Sequence, residues 1–234
     1  NAGARATMSH TASLAGSSKV WNTAIRQAGG IPARDIDDLV NIAVAFSLVK
    51  PIKGNRVGTG GSGGGRNTVS VDEWETNGFE IFPLPENIKE EFHKRGALLW
   101  DCLDNPADRS ITIPGDPFTV AALLLEMAKD NNYDLICANI AADDHPYNKE
   151  TFIDWIGSNV NDYVELSKIS PKPFFTIFSE RPLSTNDMDH WFWREVANFR
   201  TKLIDNKVAM FPSVDKAAEA VNEMIWYYNL RENV

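Results

Sequence analysis

Arg56-Val57-Gly58-Thr59, followed at once by Gly60-Gly61-Ser62-Gly63-Gly64-Gly65 and then by a polar stretch opening at Asn67, is the run whose reading decides the fold. The first four residues have strand character. The glycines form a turn, and residues 67–76 are expected to be helical, ending at Asn77-Gly78. A strand that runs through glycines into a helix brings backbone N–H groups and the positive end of a helix dipole to one corner, where an anion can be held. No Lys-Ser/Thr follows the glycines, so the run is not a P-loop. Gly58, Gly60 and Gly63 fit a GxGxxG spacing, but a stretch so rich in glycine fits many templates. No acidic residue is clearly placed for a ribose hydroxyl. Two readings stay open: an anion site at Gly63, Gly64 and Gly65, or a flexible turn with no ligand.

Outward from this corner, short apolar segments alternate with amphipathic ones. Strands are expected at 79–82, 134–140, 173–178 and 208–211, and helices at 86–94, 117–129, 187–203 and 215–228. Val120, Leu123, Leu124 and Met127 form one apolar helical face. This alternation predicts an α/β fold with a doubly wound, mainly parallel sheet covered by helices on both faces. Before it, Ser17 and Ser18 open a helix over 19–28 that Gly29-Gly30 closes. Asp35 can cap a second helix carrying Ile36, Leu39, Val40, Ala43 and Phe46 at helical spacing. Pro51-Ile52-Lys53-Gly54 reads as a linker, so the boundary is drawn there: residues 1–50 as a helical remnant, 51–234 as the α/β domain.

The 234 residues are enough for a substantial core. Acidic residues outnumber basic ones, 32 to 23, which argues against a nucleic-acid surface. No apolar run approaches the ~20 residues of a membrane span, and no basic-then-apolar leader is seen. Cys102 and Cys137 lack metal-site or disulfide-framework spacing, so a cytoplasmic protein is expected. The chain does not begin with Met and is read as a piece of a longer polypeptide.

One histidine stands out. His10 lies in Ala6-Thr7-Met8-Ser9-His10-Thr11-Ala12-Ser13-Leu14-Ala15-Gly16, among small and hydroxylated residues that suit a loop approaching a ligand rather than a packed core. Asp143-Asp144-His145 follows a predicted strand and holds metal-ligating types, but is read as ordinary loop, and no metal is assigned. Trp191, Phe192, Trp193, Trp226 and the Tyr227-Tyr228 pair are read as core or domain-contact residues, and His93 and His190 receive no catalytic role.

Taken in order, these segments resemble the NDP-forming acyl-CoA synthetases, relatives of succinyl-CoA synthetase. Gly3-Ala4-Arg5-Ala6 through Ser9-His10-Thr11-Ala12-Ser13-Leu14-Ala15-Gly16 is similar to that family's phosphohistidine loop, usually GARAAxSHTGSLAG. Val20-Trp21, Gln27-Ala28-Gly29 and Asp38-Leu39 continue the likeness. Gly54-Asn55-Arg56-Val57 resembles the start of the family's second flavodoxin-like ligase domain, and Asn105-Pro106-Ala107-Asp108 its NPxD motif. Phe211-Pro212-Ser213-Val214, Ala217-Ala218 and Tyr227-Tyr228 resemble its closing strand and helix. Ala12 stands where glycine is usual, the strand at 57–59 is less apolar than the norm, and 110–117 is diverged.

The resemblance implies that 1–50 is the C-terminal part of one ligase domain and 51–234 a flavodoxin-like one. It implies conversion of acyl-CoA, ADP and phosphate to acid, CoA and ATP, with neutral His10 attacking an acyl phosphate to give phosphohistidine. Backbone donors for the phosphoryl group would come from helix starts after Ser13 and Gly16 and after Gly63, Gly64 and Gly65. CoA, ADP or ATP and Mg2+ belong to the complete enzyme, whose CoA-binding Rossmann and ATP-grasp domains lie elsewhere on the same or a separate chain, in an expected oligomer. Two other readings differ in class: the synthetase-like regulatory region of a protein lysine acetyltransferase, and a non-catalytic subunit-interaction module using the Trp-rich helices.

Overall fold

Val57–Gly60 (β1), Leu135–Ile140 (β2), Phe174–Phe178 (β3) and Met210–Phe211 (β4) lie side by side in that order, every pair parallel. This arrangement comes from a computed structural model describing residues 17–98, 103–111, 113, 119–141, 148–179 and 190–232, to which the structural statements below refer. The register places Thr59 beside Cys137 and Cys137 beside Phe175, with Ile177 beside Phe211. Side chains alternate across the sheet. Leu135, Cys137, Phe175 and Ile177 point into one core, while Ile136, Ala138, Phe174 and Phe178 point into the other. Both faces are covered, which is why β2 and β3 read as mostly apolar runs, with Asn139 and Thr176 their only polar side chains.

The helices divide between the two faces. Val120–Lys129 (α5), Lys149–Ile169 (α6) and Trp191–Asp205 (α7) cover one, joined by Glu86–Lys94 (α4). Ile36–Leu48 (α2), Gly64–Thr76 (α3) and Val214–Glu232 (α8) cover the other, around a fully buried Trp74. Ser18–Gln27 (α1) has no buried residue and is held to α8 by Arg26, which pairs with Glu223 and stacks 4.1 Å from the Trp226 ring centre. Gly29, at φ +76°, ends α1, with the Gly30 N–H donating back to the Ile25 carbonyl at 2.8 Å. Asp35 caps α2 as expected, accepting from the Asp38 N–H at 2.7 Å. Phe192 is buried, with Trp191 and Trp193 packed against the same core, so these aromatics are core residues. Among the described residues no helix is long and apolar enough to cross a membrane.

Three elements differ from the sequence expectation. Helix α3 starts at Gly64 rather than near residue 67, because the Arg66 and Asn67 N–H groups already donate to the Gly63 carbonyl. Residues 79–82 contribute a single parallel bridge, Arg56 to Glu80, instead of a strand. Pro83 and Pro85 lack the N–H groups a longer ladder needs. The bridge still puts this segment outside β1, which gives the sheet its flavodoxin-like order. Helix α6 has no counterpart among the expected elements. Gly157, Asn159 and Asn161 dilute its pattern, yet Phe152, Ile156, Val160, Tyr163 and Val164 are buried at helical spacing.

Candidate functional site

The corner between β1 and α3 is assembled by a segment far away in sequence. The Ala107 N–H donates to the Thr59 carbonyl at 2.8 Å, and the Gly61 N–H donates to the Ala107 carbonyl at 3.0 Å. Between this bridge and the one at Glu80, the Asn105 carboxamide takes the place of a strand peptide. Its Nδ2 donates to the Val57 carbonyl at 2.8 Å, and its Oδ1 accepts from the Thr59 N–H at 2.9 Å. The NPxD-like motif is therefore a splint along the open edge of β1, with a cis peptide bond joining Asn105 to Pro106.

The glycines in the turn fall into two groups. A β-carbon on Gly60 would lie 2.5 Å from that of Ala107, and one on Gly61, at φ +104°, would lie 2.5 Å from the Asn139 carbonyl oxygen. Those two are required by packing and backbone conformation. Gly63, Gly64 and Gly65 are not. Among the described residues their β-carbons would meet nothing closer than 3.5 Å, and that of Gly65 nothing within 4 Å. Gly63 is the N-cap of α3 with no side-chain cap, and Gly64 and Gly65 form its exposed first turn. The first N–H groups of a helix have no intrahelical acceptor, so this end combines free donors with positive dipole potential.

Two side chains flank that end. Asp108 stands on the Gly64 side, its Oδ1 already accepting from the Ser110 N–H at 2.8 Å and Oγ at 2.6 Å. Arg109 stands on the Gly63 side, its Nε 3.6 Å from where a Gly63 β-carbon would be. A cleft of about 350 Å³ opens beside Gly65 at the carboxyl ends of the strands, reached by Ser62, Ser70, Glu73, Asn139 and Ser213. The Ser70 hydroxyl and the Asn67 Oδ1 are buried without a hydrogen-bond partner. Burial pushes the Glu73 carboxyl above its usual range, and the negative charge of Asp215 adds to this.

Of the sequence-nominated residues, Gly63, Gly64 and Gly65 lie together at this opening. His10, Ser13, Gly16 and the Asp143-Asp144-His145 triplet lie outside the described residues. His93 is exposed on α4, and His190 caps α7 by accepting from the Phe192 N–H at 3.4 Å. Among the described residues no three His, Cys, Asp or Glu side chains converge on a metal position. The Cys137 thiol is wholly buried, and that burial raises its pKa. Arg109 and Asn105 are what sequence reasoning missed as parts of this corner. The motif containing Asn105 was visible, but its contact with β1 depends on tertiary folding.

Residues 1–46 match the family model described as "Succinyl-CoA ligase like flavodoxin domain". The chain is 36% identical over 137 residues to the alpha subunit of ADP-forming acetate–CoA ligase II from Pyrococcus furiosus. Over these residues the chain is similar to an ADP-forming acetate–CoA ligase subunit and to the succinyl-CoA ligase-like flavodoxin domain. The match to ligase II takes in 58% of this chain and 29% of that subunit. The alpha subunit of ligase I from the same organism is 36% identical over 87 residues, covering 37% of this chain and 19% of that subunit. The chain thus spans less than a third of the length of these curated relatives. Among solved structures, the apo form of a dinucleotide forming acetyl-coenzyme A synthetase 1 from Ca. Korarchaeum cryptofilum superposes with a TM-score of 0.66. Its sequence identity is 22%, over 99% of this chain and 45% of that one. The same synthetase in complex with phosphate and ADP gives a TM-score of 0.61 at 24% identity, with the same coverage, 99% and 45%. At these identities the two structures bear on the fold, an α/β flavodoxin-like domain.

Proposed function

We propose that this chain is part of a cytoplasmic NDP-forming acyl-CoA synthetase that interconverts acyl-CoA, ADP and phosphate with acid, CoA and ATP. Phosphate oxygen attacks the thioester carbonyl and expels CoA thiolate, leaving an acyl phosphate. Neutral His10 attacks phosphorus and the carboxylate leaves, giving phosphohistidine. The ADP terminal oxygen then takes the phosphoryl group and the imidazole is restored. Helix α3 supplies Gly64 and Gly65 N–H donors to the phosphoryl oxygens during the histidine step, with further donors from the helix start near Ser13 and Gly16. CoA and nucleotide are held by CoA-binding and ATP-grasp domains on the same or another chain, with Mg2+ accompanying the nucleotide. The described residues hold no carboxylate cluster suited to that ion.

The observation that carries this reading is the exposed, uncapped start of α3, where two helix-weakening glycines stand with nothing among the described residues requiring them. The relatedness to ADP-forming acetate–CoA ligase subunits supports it. The test uses the complete enzyme supplied with acetyl-CoA and labelled phosphate. Acid-labile label on His10, lost in His10→Ala, is the expected result. An unlabelled native enzyme, or full labelling of the variant, refutes the proposal.

A further inference from the structure

We propose that Arg109 is a phosphoryl-binding residue of this site, placing a guanidinium beside the amide donors of Gly63–Gly65; this rests on the reading just given. Four observations lead there. The Arg109 backbone N–H donates to the Ser62 carbonyl at 3.2 Å, which ties the residue to the turn itself. Its Nε, Nη2 and Cζ come within 3.6, 3.8 and 3.9 Å of the missing Gly63 β-carbon, so the guanidinium lies along the helix start. Its Cζ sits 4.5 Å from the Trp155 ring centre, on a helix of the opposite sheet face. Stacking on an aromatic face fixes the plane of the guanidinium while leaving its in-plane N–H groups free for a planar, two-pronged contact.

The fourth observation is what Arg109 does not do. Among the described residues no carboxylate pairs with it, although the chain carries a net charge of −9 and Asp108 is its neighbour in sequence. Asp108 instead engages Ser110. A partly buried, unpaired cation next to a dipole's positive end is an unfavourable arrangement unless an anion joins it. The unfilled hydrogen-bonding capacity nearby agrees: Ser70, 94% buried at 6% exposure, lines the adjoining cleft with its hydroxyl unpartnered. A phosphoryl group over Gly64 and Gly65 would receive backbone N–H groups from below and the arginine fork from the side, the geometry for which arginine is suited.

The test uses the complete enzyme, as native protein and as R109Q, R109M and R109K, with R95Q, at the exposed residue that ends α4, as a charge control. Initial rates of His10 labelling are measured while phosphate and acetyl-CoA are varied separately. R109Q and R109M are expected to raise the KM for phosphate by about 10- to 100-fold, the usual worth of a charge-assisted contact, and to leave that for acetyl-CoA within about twofold. R109K should recover part of the loss, and R95Q should match the native enzyme. R109M keeps an apolar stem over Trp155, so it carries the result if R109Q folds poorly. An unchanged phosphate KM in the folded neutral variants overturns the assignment, and so does an equal rise for both substrates. Absence of label in the native enzyme would instead remove the underlying reading, and the two failures are thereby distinct.

Discussion

Replacing Asn105 by Ala removes a side chain that behaves as part of the sheet. Its carboxamide makes three hydrogen bonds: Nδ2 to the Val57 and Phe82 carbonyls at 2.8 and 2.9 Å, and Oδ1 from the Thr59 N–H at 2.9 Å. Val57 and Thr59 are both 0% exposed, so truncation strands one buried N–H and one buried C=O. The Phe82 carbonyl lies on an exposed residue and can turn to water. At about 1–3 kcal/mol for each stranded group, the loss centres on about 4 kcal/mol. For a chain of this size that lowers Tm by about 10 °C. Urea unfolding followed by the fluorescence of buried Trp74 measures the loss, and hydrogen exchange at the Thr59 amide locates it. Asn105→Asp sharpens the test. It keeps an acceptor for Thr59 but sets a carboxylate oxygen against two carbonyls, so it should be no more stable than the alanine variant at pH 7. A loss below about 1 kcal/mol for Asn105→Ala, or a rescue by Asp, would refute the splint.

Gly61→Ala and Gly65→Ala should act in opposite directions. The first meets φ +104° and a carbonyl oxygen 2.5 Å away and should cost about 3 kcal/mol or more in chemical denaturation. The second enters open space in a helix and should stabilise by about 0.5–1 kcal/mol, while slowing His10 labelling in the complete enzyme about tenfold by crowding the anion. Arg34 bonds Asp38 and Glu219, and those hydrogen bonds hold both carboxyls below their usual ranges despite partial burial. A depressed folded-state pKa stabilises above the ordinary carboxylate range and is lost as pH falls through the folded value. Arg34→Gln should therefore cost about 1 kcal/mol at pH 7, a modest figure because Arg34 is 57% exposed, and that cost should shrink toward zero near pH 2 in parallel urea titrations.

Much of the layered architecture was legible in the sequence. β2 and β3 are runs of five or six residues in which only Asn139 and Thr176 are polar, and a mostly apolar run of that length means a strand covered on both sides. Asp35 and Gly29 punctuate the first two helices by local chemistry alone, which a sequence displays directly. Where the reading fell short, the missing information was tertiary. Glu80 bridges Arg56 for a single residue because prolines follow and the Asn105 amide then takes over the edge, a substitution of side chain for backbone that no periodicity announces. Helix α6 was obscured by Gly157, Asn159 and Asn161, whose low helix propensity is outweighed by the apolar stripe from Phe152 to Val164.

The same limit explains why one glycine run supported two open readings. In sequence, residues 60, 61, 63, 64 and 65 look equivalent, but the fold separates them by what a β-carbon would strike. Gly60 and Gly61 exist because Ala107 and Asn139 crowd them, and a turn with no ligand would keep both. Gly64 and Gly65 each weaken α3 by about 1 kcal/mol relative to alanine and relieve no contact tighter than 3.5 Å. Packing therefore accounts for the first pair and leaves the second without a cause among the described residues. Arg109 is left in the same position, a cation with no carboxylate among the described residues and fixed by Ser62 and Trp155 beside that very pair. Two unrelated residue types, drawn to one point from separate segments and each unexplained by the packing of the described residues, have a shared explanation in an anion that arrives from outside.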